Sequence, residues 1–189
     1  MRRTRFAWEP MRRAAPSTIL RKLQGGDRRS CGRTAEVVEE IRNNPRLLPK
    51  LVRGLTFEDP LVRMRAADAL EKVTRTRPDR LPLFKKILLR LATESGQQEI
   101  RWHLAQILPR LPLAADERRA LVATFRAYLR DQSSIVKTCA LQALADLAVA
   151  DSSLRRTVRA TIRAAMADGT PAMRARGRKL LTKWPARSG

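Results

Sequence analysis

From about residue 34 onward the apolar residues recur at intervals of three and four, with no strand-like alternation. The pattern predicts an all-α chain. Helix starts are marked by a capping residue followed by proline at Asn44-Pro45, Asp59-Pro60 and Thr170-Pro171, and Pro78 opens a further candidate helix. Pro49 and Pro82 fall four residues after Pro45 and Pro78, where proline removes an internal hydrogen bond, so those two helices are expected to begin later or bend early.

The helical pattern repeats. Four segments superpose without gaps, each opening with an apolar residue followed by a basic one: Val62-Arg63, Ile100-Arg101, Val136-Lys137 and Met173-Arg174, with successive basic residues 38, 36 and 37 apart. Three residues on stand Ala66, Leu104, Ala140 and Gly177; seven on, Leu70, Leu108, Leu144 and Leu181; ten on, Val73, Leu111, Leu147 and Trp184. Spacings of 3, 4 and 3 place these residues on one apolar stripe of a helix. Upstream of each lies a second amphipathic segment: Leu47 to Leu55, Leu81 to Ala92, Glu117 to Arg130 and Leu154 to Ala167. The helix pairs are thus expected at about 45–75, 78–111, 115–149 and 151–184. Thr34 to Asn43 is expected to form an N-terminal capping helix with Val37, Val38 and Ile41 inward, and Thr93 to Gln98 to lengthen the turn of the second pair by about two residues.

A helix pair of about 37 residues with a basic residue opening its second helix resembles the HEAT repeat, over roughly residues 45 to 184. The run Asp-Pro-Leu-Val-Arg-Met-Arg-Ala-Ala-Asp-Ala-Leu from Asp59 carries the resemblance most closely, and the chain looks similar to small bacterial HEAT-repeat proteins of unassigned function. The resemblance implies a right-handed α-solenoid of about four HEAT-like pairs over residues 30–189, each stacked on the next. It also implies that the ladder Arg63, Arg101, Lys137 and Arg174 ties adjacent repeats together through acids in the turns, with ligand contact as the alternative.

Charge narrows the partners. Forty Lys and Arg against 18 Asp and Glu give +22, with residues 1–33 at +8, residues 155–189 at +9, and only +5 between them. Residues 1–29 read as a mobile basic arm outside the solenoid, with a mitochondrial presequence as the alternative, although Ile19, Leu20 and Leu23 could dock on the first repeat. No apolar run approaches the roughly 20 residues of a bilayer span, and no export signal is present, so a cytoplasmic chain without membrane contact is expected. Cys31 and Cys139 are spaced for neither a disulfide scaffold nor a zinc site. His103 stands without ligand-spaced neighbours and is expected at the surface, pairing with Glu99 one turn earlier.

Two groups of binding residues stand out. At 100° per residue, the position after each ladder cation points away from the core, which places Trp102 exposed beside Arg101; such a pair stacks on bases or anchors protein interfaces, unless the ring packs on its own repeat. The second group is Arg155, Arg156, Arg159 and Arg163 with Arg174, Arg176, Arg178, Lys179 and Lys183, near which Asp168 is the single acid. Self-repulsion makes so dense a cluster a cost unless an anion binds. The expected function is therefore a non-catalytic, monomeric scaffold with no cofactor and no small-molecule substrate, engaging nucleic acid through its basic ends. An adaptor holding an acidic or helical protein around Trp102 is the alternative. HEAT-like alkylpurine DNA glycosylases and bilin lyases are remote ones, since the chain has no phosphate loop, nucleophile–base pair or metal cluster.

Overall fold

The computed structural model describes residues 17–182, and every regular element among them is helical. In chain order these are α1 (Thr18–Leu23), α2 (Thr34–Asn43), α3 (Leu48–Gly54), α4 (Pro60–Thr76), α5 (Lys85–Glu94), α6 (Gln98–Ile107), α7 (Ala115–Tyr128), α8 (Ser134–Ala150), α9 (Arg155–Ala167) and α10 (Pro171–Thr182). The prolines set the starts. Pro45–Leu47 and Pro78–Phe84 form 3-10 turns, and α3 and α5 begin only after them, because Pro49 and Pro82 have no N–H to give an α-helical ladder. Asp59 accepts from Leu61 N at 2.8 Å, and the Thr170 hydroxyl accepts from Met173 N at 3.2 Å, capping α4 and α10.

Within pairs, α3 packs on α4, α5 on α6, α7 on α8 and α9 on α10; between pairs, α4, α6, α8 and α10 pack each on the next, with α2 against α4. The core runs along this seam. Ala66, Leu104 and Ala140 are fully buried, as are Leu70, Leu108 and Leu144. In α10 the equivalent of the first set is Gly177, where a Cβ would lie 2.5 Å from Met166 Cγ, so only glycine lets α10 approach α9 so closely. Leu181, expected to be buried like Leu144, is half-buried instead, while Leu180 takes the core position. Among the described residues no element follows α10. Trp184 lies outside the described residues.

Two further expectations change. The turn of the second pair is Ser95–Gln97, shorter than Leu55–Asp59 in the first pair, because α5 continues to Glu94 and absorbs the extra residues. The packed body also begins well before residue 30. Ile19, Leu20 and Leu23 are buried against α2, α3 and α4, so residues 17–29 are not a detached arm; a three-residue apolar patch is too short to announce itself as a helical period. The remainder of that arm, residues 1–16, lies outside the described residues.

Candidate functional site

Two of the ladder cations, Arg63 and Arg101, fasten one turn to the next. Arg63 Nη1 donates to the carbonyls of Phe57 and Glu58 in its own turn, while its Nε reaches Gln97 Oε1 of the next turn at 2.7 Å. Arg101 repeats the arrangement, with Nη1 on the Ser95 carbonyl at 3.0 Å and Nε 2.8 Å from Asp131 Oδ2. Arg174 Nη1 donates to Gly169 O at 2.8 Å. Arg101 is therefore committed to two turns and leaves Trp102 without its expected cationic companion.

Trp102 is half-buried rather than exposed, packing against the core with its ring centroid 5.6 Å from that of His103. The 100° construction misplaced it because it treated each helix alone, whereas α4 and α8 flank α6 on both sides. His103 is likewise buried, and its Nδ1 has no hydrogen-bond partner. Burial drives its imidazole down to about 4, against the opposing pull of the Asp68, Glu71 and Glu99 carboxylates. The expected Glu99 pairing does not form. Glu99 is buried, with Arg28 Nη2 3.7 Å from its Oε1 and its Oε2 unpartnered, beside a cleft of about 330 Å³ that also holds Arg101 and Asp131. Two cations and two carboxylates neutralise that cleft internally.

Sequence reasoning overlooked Arg65. Its guanidinium is 1% exposed and faces no carboxylate; all its N–H groups point at backbone carbonyls, those of Leu23, Gly25, Asp27 and Ser30, at 2.6 to 3.1 Å. The loop of residues 24–33 wraps this side chain so closely that a Cβ on Gly32 would lie 2.9 Å from Arg65 Cζ, at a φ of +53°. A signal was present: Arg65 occupies the same repeat position as His103 and Arg176, which face the preceding helix.

The C-terminal pair differs from the rest in kind. The sequences of α9 and α10 carry Arg155, Arg156, Arg159, Arg163, Arg174, Arg176, Arg178 and Lys179 and not one acid. Val158 and Ile162 hold the buried face of α9; Arg155, Arg159 and Arg163 follow one flank and Arg156 the outward side, while Thr157, Ala160, Thr161 and Ala164 leave the other flank uncharged. Arg176 donates to Gln142 Oε1 at 3.2 Å, tying α10 to α8. Arg156, Arg163, Arg178 and Lys179 stand exposed, and Lys183 lies outside the described residues. Elsewhere several cations meet acids: Arg75 and Arg110 hold Glu71, Lys85 meets Glu117 and Arg118 meets Asp151.

Comparison with known proteins adds nothing to this geometry: no family model, no curated protein and no solved structure matches the chain. Among the described residues, no helix is long and apolar enough to cross a membrane, and no group of three or more His, Cys, Asp or Glu could hold a metal ion.

Proposed function

We propose that the chain is a non-catalytic HEAT-like scaffold that binds a polyanion, nucleic acid foremost, through its C-terminal helix pair. One observation carries this reading: eight cations on α9 and α10 with no acid on either helix, whereas carboxylates of the earlier pairs hold several of theirs, Lys85 on Glu117 and Arg75 with Arg110 on Glu71 among them. Like charge gathered so densely is a standing electrostatic cost that a phosphate-rich partner relieves by releasing counterions. The adaptor reading is less well supported, because its anchor Trp102 is half-buried and Arg101 is engaged in the turns.

The test is salt dependence. Replacing Arg163, Arg174, Arg176, Arg178 and Lys179 by Gln removes up to five phosphate contacts and is expected to flatten the slope of log affinity against log salt by as much as roughly 4.5. Failure of the wild-type chain to bind any polyanion at about 50 mM salt, or an unchanged slope in the variant, overturns the reading.

A further inference from the structure

Two helices of the stack carry the same outward surface. Read 37 residues apart, α7 and α9 are identical at Arg119 and Arg156, Ala123 and Ala160, Thr124 and Thr161, Arg126 and Arg163, and Ala127 and Ala164. Burial follows the same order: Leu121 and Phe125 in one helix and Val158 and Ile162 in the other are buried, while the paired arginines and alanines are exposed in both. Each threonine donates to the carbonyl four residues back, Thr124 to Ala120 O and Thr161 to Thr157 O, both at 3.0 Å. Buried positions repeat because the core demands it, but packing makes no such demand on exposed ones. The earlier pairs bear this out: counted back by the same interval, the places of Arg119 and Arg126 hold Pro82 and Leu89 in the second pair and Pro45 and Val52 in the first. Seven residues make nearly two turns, so the two arginines of each helix project within about 20° of one another, roughly 10 Å apart along the axis. Arg163, last on the α9 flank, thus comes round to the outward side with Arg156. Among the described residues, none of these four guanidiniums has an ion-pair or hydrogen-bond partner. The two acids of α7, Asp116 and Glu117, stand in its first turn ahead of the arginines, and Lys85 holds Glu117.

We propose that the outward face shared by α7 and α9 is a two-helix phosphate-binding surface, on which Arg119 and Arg126 of one helix and Arg156 and Arg163 of the other hold the backbone of a duplex nucleic acid. The proposal rests on the polyanion reading; it names the form of polyanion and extends the surface from α9 to α7. The arginines of one helix stand roughly 10 Å apart, close to the roughly 12 Å width of the major groove, so one helix can touch phosphates of both strands that border the groove. Its neighbour repeats that contact elsewhere on the duplex. Arginine's planar fork also grips two phosphate oxygens at once. Between the arginines, Ala123, Ala127, Ala160 and Ala164 expose only methyl groups, so the guanidiniums stand highest and a rigid rod can reach them. A single strand fits less well, because it offers one row of phosphates and gains its affinity by stacking bases on aromatic rings. Phe125 and Tyr128 of α7 are buried, and α9 has no aromatic residue. An acidic protein also fits less well: a protein interface needs an apolar centre, and the large exposed hydrophobic residues, Leu83, Ile135 and Val149, lie on neither helix.

The test compares charge-matched double variants of the full chain. Arg119→Gln with Arg126→Gln removes the α7 half of the surface, Arg156→Gln with Arg163→Gln removes the α9 half, and Lys50→Gln with Lys86→Gln removes the same charge from exposed positions of α3 and α5. Fluorescence anisotropy is measured from about 50 to 200 mM salt on a duplex of about 25 base pairs, on the matching single strand and on poly-glutamate, with thermal unfolding as the check on folding. Each arginine variant is expected to lose at least about tenfold in duplex affinity near 150 mM salt, with the log–log slope flattened by up to roughly 1.8, while the lysine variant loses less than about threefold. The two arginine variants are expected to lose alike, because their residues are equivalent. A loss in the α7 variant no larger than that of the lysine variant, tighter binding of the single strand, or equal binding of poly-glutamate overturns the proposal while leaving polyanion binding through α9 and α10 standing. Absence of wild-type binding to all three probes overturns both.

Discussion

On α4, Arg65 is sealed beneath residues 24–33 with every N–H on a carbonyl; on α10, the last described helix, Arg178 is exposed on a helix that carries no acid. Around Arg65 the charges are also matched outside the nest. Lys22 bonds Glu36 and Glu40, Arg33 bonds Glu36, and these hydrogen bonds, Arg33's foremost, hold the Glu36 carboxyl down at about 2. The difference teaches what each kind of cation is for. A guanidinium leaves water only when converging acceptors replace its hydration, which makes Arg65 part of the fold. Cations left exposed beside like charges give the fold no such anchor.

The largest way to break the comparison is Arg65→Leu, which strips four backbone carbonyls, three of them in the loop, of their donor. It is expected to destabilise the chain by about 3 to 5 kcal/mol in urea unfolding, and to speed trypsin cleavage within residues 24–33. A loss under about 1 kcal/mol would mean that the loop is held by other contacts. Next come matched core leucines from the middle and the end. Leu144→Ala should cost about 2 to 5 kcal/mol because Leu144 is fully buried, whereas Leu181→Ala should cost less than half as much, since its site already opens to water. Equal costs would show the end of the stack to be as well covered as its centre.

The buried imidazole supplies a pH-dependent effect. His103 sits at about 4 when folded against 6.5 when unfolded, so between those values the unfolded chain binds more protons and stability falls as pH falls. The full contribution is present above pH 6.5, and about 2 to 3 kcal/mol is lost on approaching pH 4. Subtracting the pH profile of His103→Gln from that of the wild type isolates this slope from the carboxylates that titrate nearby; identical slopes would place His103 in water. The smallest expected effect is at the open end. Arg178→Gln relieves an i,i+4 repulsion with Arg174 and should raise Tm by about 1 °C at low salt, a gain that vanishes at high salt. A fall in Tm of several degrees would instead reveal Arg178 as a structural contact like Arg65.

Much of this architecture was legible in the residues. The 3-4-3 spacing located the helices because burying one stripe of a helix is a local, periodic requirement, and Pro49 and Pro82 foretold late helix starts because a missing N–H acts where it stands. The C-terminal cluster was equally visible, since charge density is a property of composition. What only the tertiary structure decided is which cations are used up. Arg65 and Arg178 look alike in sequence, each a polar residue beside an apolar stripe. Their environments diverge because one meets a loop some forty residues away in the chain while the other lies exposed on the last described helix. Trp102 and His103 were misplaced for the same reason: the periodicity of a single helix says which face turns inward, but burial at its flanks is set by the neighbouring helices, and those contacts come from sequence-distant residues that no local pattern encodes.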